Sequence, residues 1–199
     1  MEKIIASEIA PNGLDSEIFY FLEKNIDDLG LADSIIYYGF PVFKDYEDTS
    51  VKSKFCILSK THGIVLINTT SQHELIDDDE NLSQLFSFIE SALKKSKKIR
   101  INKKKLAVNL DSYLYMHNSK GSDETENDLL TSFSDIKRVL ENINGDEIDA
   151  EILDEVRSII EGSKALSRIS KRTKISDDPT TKLNILIELE KEVSNFDVE

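Results

Sequence analysis

Two continuous apolar runs separated by a tight turn constrain the fold of this chain more than any other feature. The runs are residues 55–58 and 64–67, and residues 60–63 join them. Short runs of this kind, bounded by a turn that contains glycine, predict two paired strands. Neither run alternates with polar residues, so both faces of the hairpin should be buried, with helices covering the sheet.

Helical patterns stand on either side of this hairpin. The first predicted helix covers residues 14–30, with Asp15 or Ser16 as its N-cap and a glycine at its end. Apolar side chains recur on one face of it, as in a helix that packs on a sheet. An acidic run after the hairpin is assigned to a loop. The second helix is predicted to begin after that loop, at Glu80 or Asn81.

Further strands are predicted at residues 35–38 and 106–115, while residues 44–50 are assigned to a polar connection. The order helix, strand, strand, strand, helix, strand predicts an α/β fold whose mixed sheet is flanked by helices. Only helical patterns follow, and no later strand is predicted. We therefore expect an α/β domain at residues 1–120 and an α-helical region with a linker at residues 121–199.

The composition excludes several classes of protein. Charged residues make up 32% of the chain and the net charge is -13, so the average surface repels nucleic acid. The single cysteine, Cys56, excludes a disulfide framework and is expected to be a buried thiol. His62, His73 and His117 lack metal-ligand spacing and are assigned to turns or the surface. We see no signal peptide and no span of roughly 20 apolar residues, so no membrane contact and a cytoplasmic location are expected.

Three polar residues mark the ends of the hairpin strands. Nucleases of the restriction-endonuclease-like class place one acid on the first strand, then an acid and, two residues later, a lysine on the next strand. The acids hold a divalent metal through hard oxygen ligands. The corresponding residues are Lys54, Asn68 and Thr70, none of which is acidic. An ammonium group repels a cation, and one amide oxygen does not make a metal site. We therefore predict no catalytic residue, no metal and no cofactor.

The hairpin, with the helix before it and the helix after it, resembles the nuclease-related (NERD) domain of the PD-(D/E)XK fold class. The resemblance covers roughly residues 10–118 and implies a restriction-endonuclease-like sheet. Such domains often stand ahead of a superfamily-one, UvrD-like DNA helicase, which implies a DNA-related role. The departures at Lys54, Asn68 and Thr70 from the family pattern speak against nuclease activity.

The C-terminal region adds to this resemblance. Residues 151–166 and 182–199 look like the stretch that leads into the motor core in many such helicases. In those proteins a motif like Asn195-Phe196-Asp197 lies just before the core. The chain contains no phosphate-binding GKT or GKS loop, so it cannot hydrolyse ATP by that route. The expectation is a piece of a longer protein whose ATP-dependent motor lies beyond residue 199.

One basic segment, residues 94–105, stands out in this acidic chain. It contains eight Lys or Arg residues and no acid. Such a segment is typical of a sequence-independent, salt-sensitive phosphate contact. The alternative is a solvated helix end whose cations interact favourably with the helix dipole. The candidate DNA-binding residues are Lys94, Lys95, Lys97, Lys98, Arg100, Lys103, Lys104 and Lys105.

Three hypotheses follow from the sequence. The first is a non-catalytic nuclease-like module of a DNA helicase that binds or guides DNA, or docks a partner such as the helicase core. The second is a protein-interaction or oligomerisation module that works through a helix at residues 180–196. The third is a metal-dependent nuclease with relocated acids, for which the candidates are Glu17, Asp45, Glu47 and Asp48. A role in DNA repair or phage defence rests only on analogy with such helicases.

Overall fold

A computed structural model describes residues 1–44, 50–102, 105–117, 129–143 and 147–162. Met1–Glu161 form one compact unit, and Gly162–Glu199 form a second, of which only Gly162 is described. The helix predicted at residues 180–196 therefore lies outside the described residues. The elements of the first unit are β1 Glu2–Ile5, α1 Leu14–Lys24, β2 Ile35–Tyr38, β3 Val42–Lys44, β4 Ser50–Lys52, β5 Phe55–Ser59, β6 Gly63–Thr69, α2 Leu75–Lys94, β7 Leu110–Tyr115, β8 Leu129–Leu130, α3 Phe133–Asn142 and α4 Ala150–Ile160.

Six of the strands form one mixed sheet in the order β1, β2, β5, β6, β7, β8. The neighbours β2, β5 and β6 are antiparallel. β1 is parallel to β2, and β6, β7 and β8 are parallel to one another. The predicted α/β fold with a mixed sheet is thus confirmed. The hairpin is confirmed as well, since every residue of β5 and β6 is buried.

Helices cover both faces of this sheet. Side chains alternate along a strand, so Cys56 and Leu58 of β5 face one way and Phe55 and Ile57 face the other. The first face packs against α2 and α4. The second packs against α1 and α3. Cys56 is fully buried, as predicted, and burial raises the pKa of its thiol to about 12, so it stays protonated and inert near neutral pH.

The first helix differs from the prediction at both ends. Its N-cap is Gly13, no side chain caps it, and the hydroxyl of Ser16 instead donates to the Gly13 carbonyl. The helix ends at Lys24 rather than at residue 30. Both the backbone N–H and the side-chain amide of Asn25 donate to the Phe21 carbonyl, which closes the last turn. Asp15 is therefore available for another role, described below.

The second helix begins earlier than predicted. α2 starts at Leu75, not at Glu80 or Asn81, so the acidic run assigned to a loop is helical. Asp77 and Asp78 lie in its first turn. Carboxylates at this position interact favourably with the unpaired N–H groups and the positive end of the helix dipole. The acids that suggested a solvated loop therefore stabilise the start of the helix.

Four strands were not predicted: β1, the paired β3 and β4, and β8. The predicted polar connection at residues 44–50 lies between β3 and β4, which pair as a separate antiparallel ribbon. Phe43 of β3 stacks on Phe88 of α2, with ring centroids 5.8 Å apart, and this contact is remote in sequence. β8 follows residue 120, so the expectation that no strand follows is wrong.

The predicted domain boundary itself falls among residues 118–128, outside the described ranges, and stays a prediction.

Two edges of the sheet matter for function. We call the edge at which β2, β6 and β7 end the carboxyl edge, and the edge at which they begin the amino edge. α2 connects the parallel neighbours β6 and β7, so it runs back from the carboxyl edge to the amino edge. The basic segment, which follows α2, therefore begins at the amino edge. The seven residues of β6 separate the two edges by roughly 20 Å.

Candidate functional site

The carboxyl edge carries the three polar hairpin positions. Lys54 precedes β5 and lies beside Asn68 near the end of β6. The backbone N–H of Lys54 donates to Asn68 Oδ1 at 2.7 Å, and Asn68 Nδ2 donates to the Lys52 carbonyl at 3.4 Å. Asn68 is only 8% exposed. Its amide therefore joins β6 to the segment that leads into β5, and the oxygen that a metal would need accepts a backbone hydrogen bond instead.

The side chain of Lys54 turns away from Asn68 towards α1. Its ammonium donates to Thr69 Oγ1 and lies 4.0 Å from Asp15 Oδ2. Thr69 Oγ1 in turn donates to Asp15 Oδ1 at 2.8 Å. The hydroxyl of Tyr38, at the end of β2, donates to Asp15 Oδ2 at 2.6 Å. We call these four residues the Asp15 cluster.

The charged and polar groups of the Asp15 cluster pair with one another. Burial, together with the hydrogen bond to Asp15 and the charge of that carboxylate, raises the pKa of Tyr38 far above its usual value. The tyrosine is therefore a proton donor to Asp15 at any physiological pH. With two hydroxyl donors and one nearby ammonium, the carboxylate has the partners that it needs without a metal ion.

Thr70 lies apart from this cluster. Its backbone N–H donates to the Tyr115 carbonyl at 2.9 Å, and its hydroxyl donates to the Ser71 carbonyl at 3.2 Å. Strand alternation places Asn68 and Thr70 on the face covered by α2, whereas Thr69 is on the face covered by α1. The structure thus brings the Lys54 backbone to Asn68, but it does not gather the three side chains of the predicted positions into one site.

The candidates for relocated acids are only partly described. Glu17 lies exposed on α1, while Asp45, Glu47 and Asp48 are outside the described ranges. Among the residues that the structure describes, no group of three or more His, Cys, Asp or Glu side chains is arranged to hold a metal ion.

A second set of side chains at the carboxyl edge was missed by the sequence. Tyr115 hydrogen-bonds His117 Nδ1 through its hydroxyl at 2.8 Å, and its ring stacks on Phe133 at 5.8 Å. Burial, and then the charges of Glu17 and Asp135, raise the pKa of Tyr115 to about 12. These residues come from α1, β7 and α3, so no local pattern could have indicated that they meet.

The basic segment lies at the amino edge, and contacts with the core and with α4 hold it in place. Ile99 is fully buried, and the hydroxyl of Ser96 donates to the buried carboxylate of Glu155 in α4. Lys94 Nζ is 2.6 Å from Glu90 Oε1, so this cation is already paired. Lys103 and Lys104 lie outside the described residues. The exposed cations of the described part are Lys95, Lys97, Lys98, Arg100 and Lys105, and the Nζ atom of Lys98 lies 3.8 Å from Oε2 of the exposed Glu151.

Comparisons of the chain with protein families, with curated proteins and with solved structures found no match. The resemblance to the nuclease-related domain is therefore neither supported nor opposed by a known relative. Within the described parts of the chain, no helix is long and apolar enough to cross a membrane.

Proposed function

We propose that this chain is a non-catalytic, nuclease-like module of a DNA helicase, and that it binds or guides DNA through the basic segment. Apart from β1 and the ribbon of β3 and β4, the element order α1, β2, β5, β6, α2, β7 is the helix, strand, strand, strand, helix, strand order expected from the sequence, with the hairpin at its centre. This order supports the resemblance at the level of the fold. The motor itself would be a separate part of the same protein.

The contacts of Lys54 and Asn68 carry the proposal that the module does not cut. A metal-dependent nuclease needs oxygen ligands that converge on an open position. Here Asn68 Oδ1 accepts a hydrogen bond from the Lys54 backbone N–H, and the Lys54 ammonium lies 4.0 Å from the carboxylate of Asp15. Hydrogen bonds within the protein thus occupy the groups that would have to bind a metal.

The basic segment supports the proposal that the module binds DNA. Five of its cations are exposed. The buried side chain of Ile99 and the hydrogen bond from Ser96 to Glu155 hold the segment in place. Phosphate contacts from such lysines and arginines give affinity without reading sequence. Because the segment and the Asp15 cluster lie at opposite edges of the sheet, DNA held at the segment need not approach Asp15.

The test is a titration of the chain with labelled single-stranded, duplex and forked DNA, at low and moderate salt with Mn²⁺ or Mg²⁺ present, and with the product checked on a gel. We expect binding without cleavage. The double variant Lys97→Glu/Lys98→Glu should weaken binding at least about tenfold, because it removes two phosphate contacts and adds repulsion. The matched control is Lys137→Glu/Arg138→Glu, which reverses two exposed cations on α3.

Two outcomes would contradict the proposal. Equal losses in both double variants would mean that only net charge matters and that the basic segment is not the contact. Metal-dependent cleavage would show an active nuclease, and Asp45→Ala and Glu47→Ala would then test for relocated acids. If no DNA binds, the protein-interaction hypothesis gains, and Leu186→Asp and Val193→Asp in the predicted helix at residues 180–196 would be the next variants.

A further inference from the structure

An open groove of about 530 Å³ runs along the outer face of α1. This volume lies within the roughly 300–1,000 Å³ typical of sites for small ligands. α1 supplies most of the lining, and Phe133, the first residue of α3, closes one side. The groove is distinct from the Asp15 cluster, none of whose members lines it, and from the basic segment.

Four residues of α1 form a stripe along this groove. Glu17, Tyr20, Phe21 and Lys24 follow the spacing that places residues on one helix face. Tyr20 is 64% exposed, so its ring is accessible from the groove. Within the described part of the chain, no ion pair engages Glu17 or Lys24. The stripe therefore presents a carboxylate, an aromatic surface and an ammonium to solvent.

The aromatic surface has a rigid base. The rings of Phe21 and Phe133 stack with centroids 4.9 Å apart and an interplanar angle of 17°. Phe133 in turn stacks on the fully buried Tyr115 at 5.8 Å and 18°. Tyr20 thus projects beside rings whose orientation is fixed by the core. Such an arrangement offers flat apolar walls to a planar ligand at little cost in side-chain entropy.

The charges at the two ends define what kind of planar ligand fits. Glu17 and Lys24 are seven residues apart on the helix, which is a separation of about 10 Å along its axis. In one nucleotide, the distance between the phosphate and the far edge of the base is similar. A carboxylate accepts hydrogen bonds from an exocyclic amino group such as that of cytosine, while an ammonium pairs with phosphate.

We propose that this groove binds a single unstacked nucleotide of DNA, with the base on Tyr20, its amino group on Glu17 and its phosphate on Lys24. Stacking of a base on an aromatic side chain is the usual way in which unpaired nucleic acid is held. The carboxylate of Glu17 repels the O4 acceptor of thymine, so cytosine is preferred over thymine. This inference rests on the proposed function, because it adds a site for an unpaired base to a module that holds DNA phosphates elsewhere.

The position of the groove suits this role. α1 connects the parallel strands β1 and β2, so its last turn, with Lys24, points towards the amino edge of the sheet. That edge also carries the basic segment.

A basic peptide is the main competing occupant, since an arginine would suit Glu17 and the aromatic rings. Lys24 would repel it, which is why a nucleotide fits the whole stripe better.

The test compares fluorescently labelled oligodeoxycytidylate, oligothymidylate of the same length and a blunt duplex, all titrated with the full chain at mildly alkaline pH. Tyr20→Ala should weaken binding of the single strands about tenfold and leave duplex binding unchanged. Tyr20→Phe keeps the ring and should bind as wild type. Ile76→Ala removes an apolar side chain of α2 that is also largely exposed, at 75%, and serves as the matched control. Glu17→Gln should abolish the preference for cytosine.

The outcomes separate this inference from the proposed function. If Tyr20→Ala binds the single strands as wild type does while the duplex still binds, the groove inference is overturned and the DNA-binding module stands. If no DNA binds to the wild type, both are overturned. An arginine-rich peptide that binds in a Tyr20-dependent and Glu17-dependent way, in place of the oligonucleotides, would make the groove a protein site and overturn the inference. Circular dichroism of each variant confirms that the fold is intact.

Discussion

The polar side chains at the carboxyl edge satisfy one another. Asp15 accepts from Tyr38 and Thr69, and Asn68 accepts from the Lys54 backbone. Throughout the described part of the chain, no buried side-chain nitrogen or oxygen lacks a hydrogen-bond partner. A buried polar atom without a partner would indicate a place for a ligand or metal. The polar side chains at this edge therefore form a hydrogen-bond network in which each buried group has a partner within the protein.

His62, in the turn of the hairpin, is another residue whose role only the structure shows. It was assigned to a turn or the surface, and it does lie in the turn, but it is buried. Its Nδ1 lies 3.1 Å from Ser59 Oγ and 3.0 Å from Thr61 Oγ1, and the ring also hydrogen-bonds the backbone of Leu140 in α3. The imidazole thus ties the turn of the hairpin to the end of a helix that is remote in sequence.

Stability should fall on mild acidification because of His62. Burial lowers the pKa of its imidazole below the ordinary value of 6.5. The unfolded chain then takes up a proton before the folded chain does, so stability is fully present above pH 6.5 and is lost as pH falls through the folded pKa. Urea unfolding at successive pH values from about 7.5 downwards would measure this loss.

The variant His62→Gln should show a smaller decrease in the urea midpoint over this pH range than wild type. His73→Gln is the matched control, because His73 is exposed in the loop before α2. A variant His62→Gln with the full pH dependence of wild type would assign the effect to other groups. Carboxylates such as Asp135, whose pKa is lowered by hydrogen bonds from Thr131 and Ser132 despite partial burial, act at lower pH.

At the scale of elements, the sequence predicted what local periodicity determines. β2, the hairpin of β5 and β6, and the helices α3 and α4 each carry their own apolar pattern, and all are present. β1, β3, β4 and β8 were not predicted, and the last three have only two or three residues each, which is too short to carry a pattern. β8 has two residues and exists because Leu114 and Tyr115 of β7 offer a pairing edge. Such pairings are set by tertiary contacts rather than by local sequence.

Local sequence patterns also limited what could be predicted about the site. Lys54, Asn68 and Thr70 were found because they lie at fixed offsets in one hairpin. The role of Asp15 was not predictable, because its partners are Tyr38, Lys54 and Thr69, up to 54 residues away. The groove on α1 had a local signal, the i, i+3, i+4, i+7 spacing from Glu17 to Lys24. The apolar residues on the opposite face of the same helix, which pack in the core, formed the stronger pattern. The helix was therefore interpreted only as a core helix.

The helices after residue 120 should be needed for the fold of the sheet. Ile136 and Leu140 of α3 belong to one core cluster, and Val156 and Ile160 of α4 belong to the other. A fragment of residues 1–120 would expose both faces that these helices cover, whereas residues 1–162 retain them. We expect the longer fragment to unfold cooperatively in urea and the shorter one to bind a hydrophobic dye and aggregate.

The truncation also tests the predicted domain division. If residues 1–120 unfold cooperatively at the same urea midpoint as residues 1–162, the α/β domain ends where the sequence predicted. Leu140→Ala in the full chain provides a second measurement, since removing a fully packed leucine costs about 2–5 kcal/mol. Its control is Ile101→Ala, which truncates a side chain that is 60% exposed and should cost little.

The net charge of the molecule opposes DNA binding, and within the described part of the chain the longest run of exposed cations lies at the amino edge. With a net charge of -13, approach of DNA to an arbitrary face is repelled. The basic segment concentrates cations at the amino edge, where Glu151 in the first turn of α4 lies 3.8 Å from Lys98. The first turns of α1, α2 and α3 at the carboxyl edge carry acids without such a cluster of cations. A molecule with this distribution should orient DNA towards the amino edge before any close contact forms.

This distribution predicts a steep salt dependence of duplex binding. Each phosphate that a cation neutralises contributes about -0.9 to the slope of log affinity against log salt concentration. The five exposed cations alone give a slope of about -4.5, and Lys103 and Lys104 with them give about -6.3. Lys97→Ala should make the slope shallower by about one, and Lys137→Ala, on α3, should leave it unchanged. Filter binding or anisotropy at several salt concentrations measures both slopes. A slope near zero that Lys97→Ala does not alter would mean that DNA contacts apolar surface, and the amino edge would then have no part in binding.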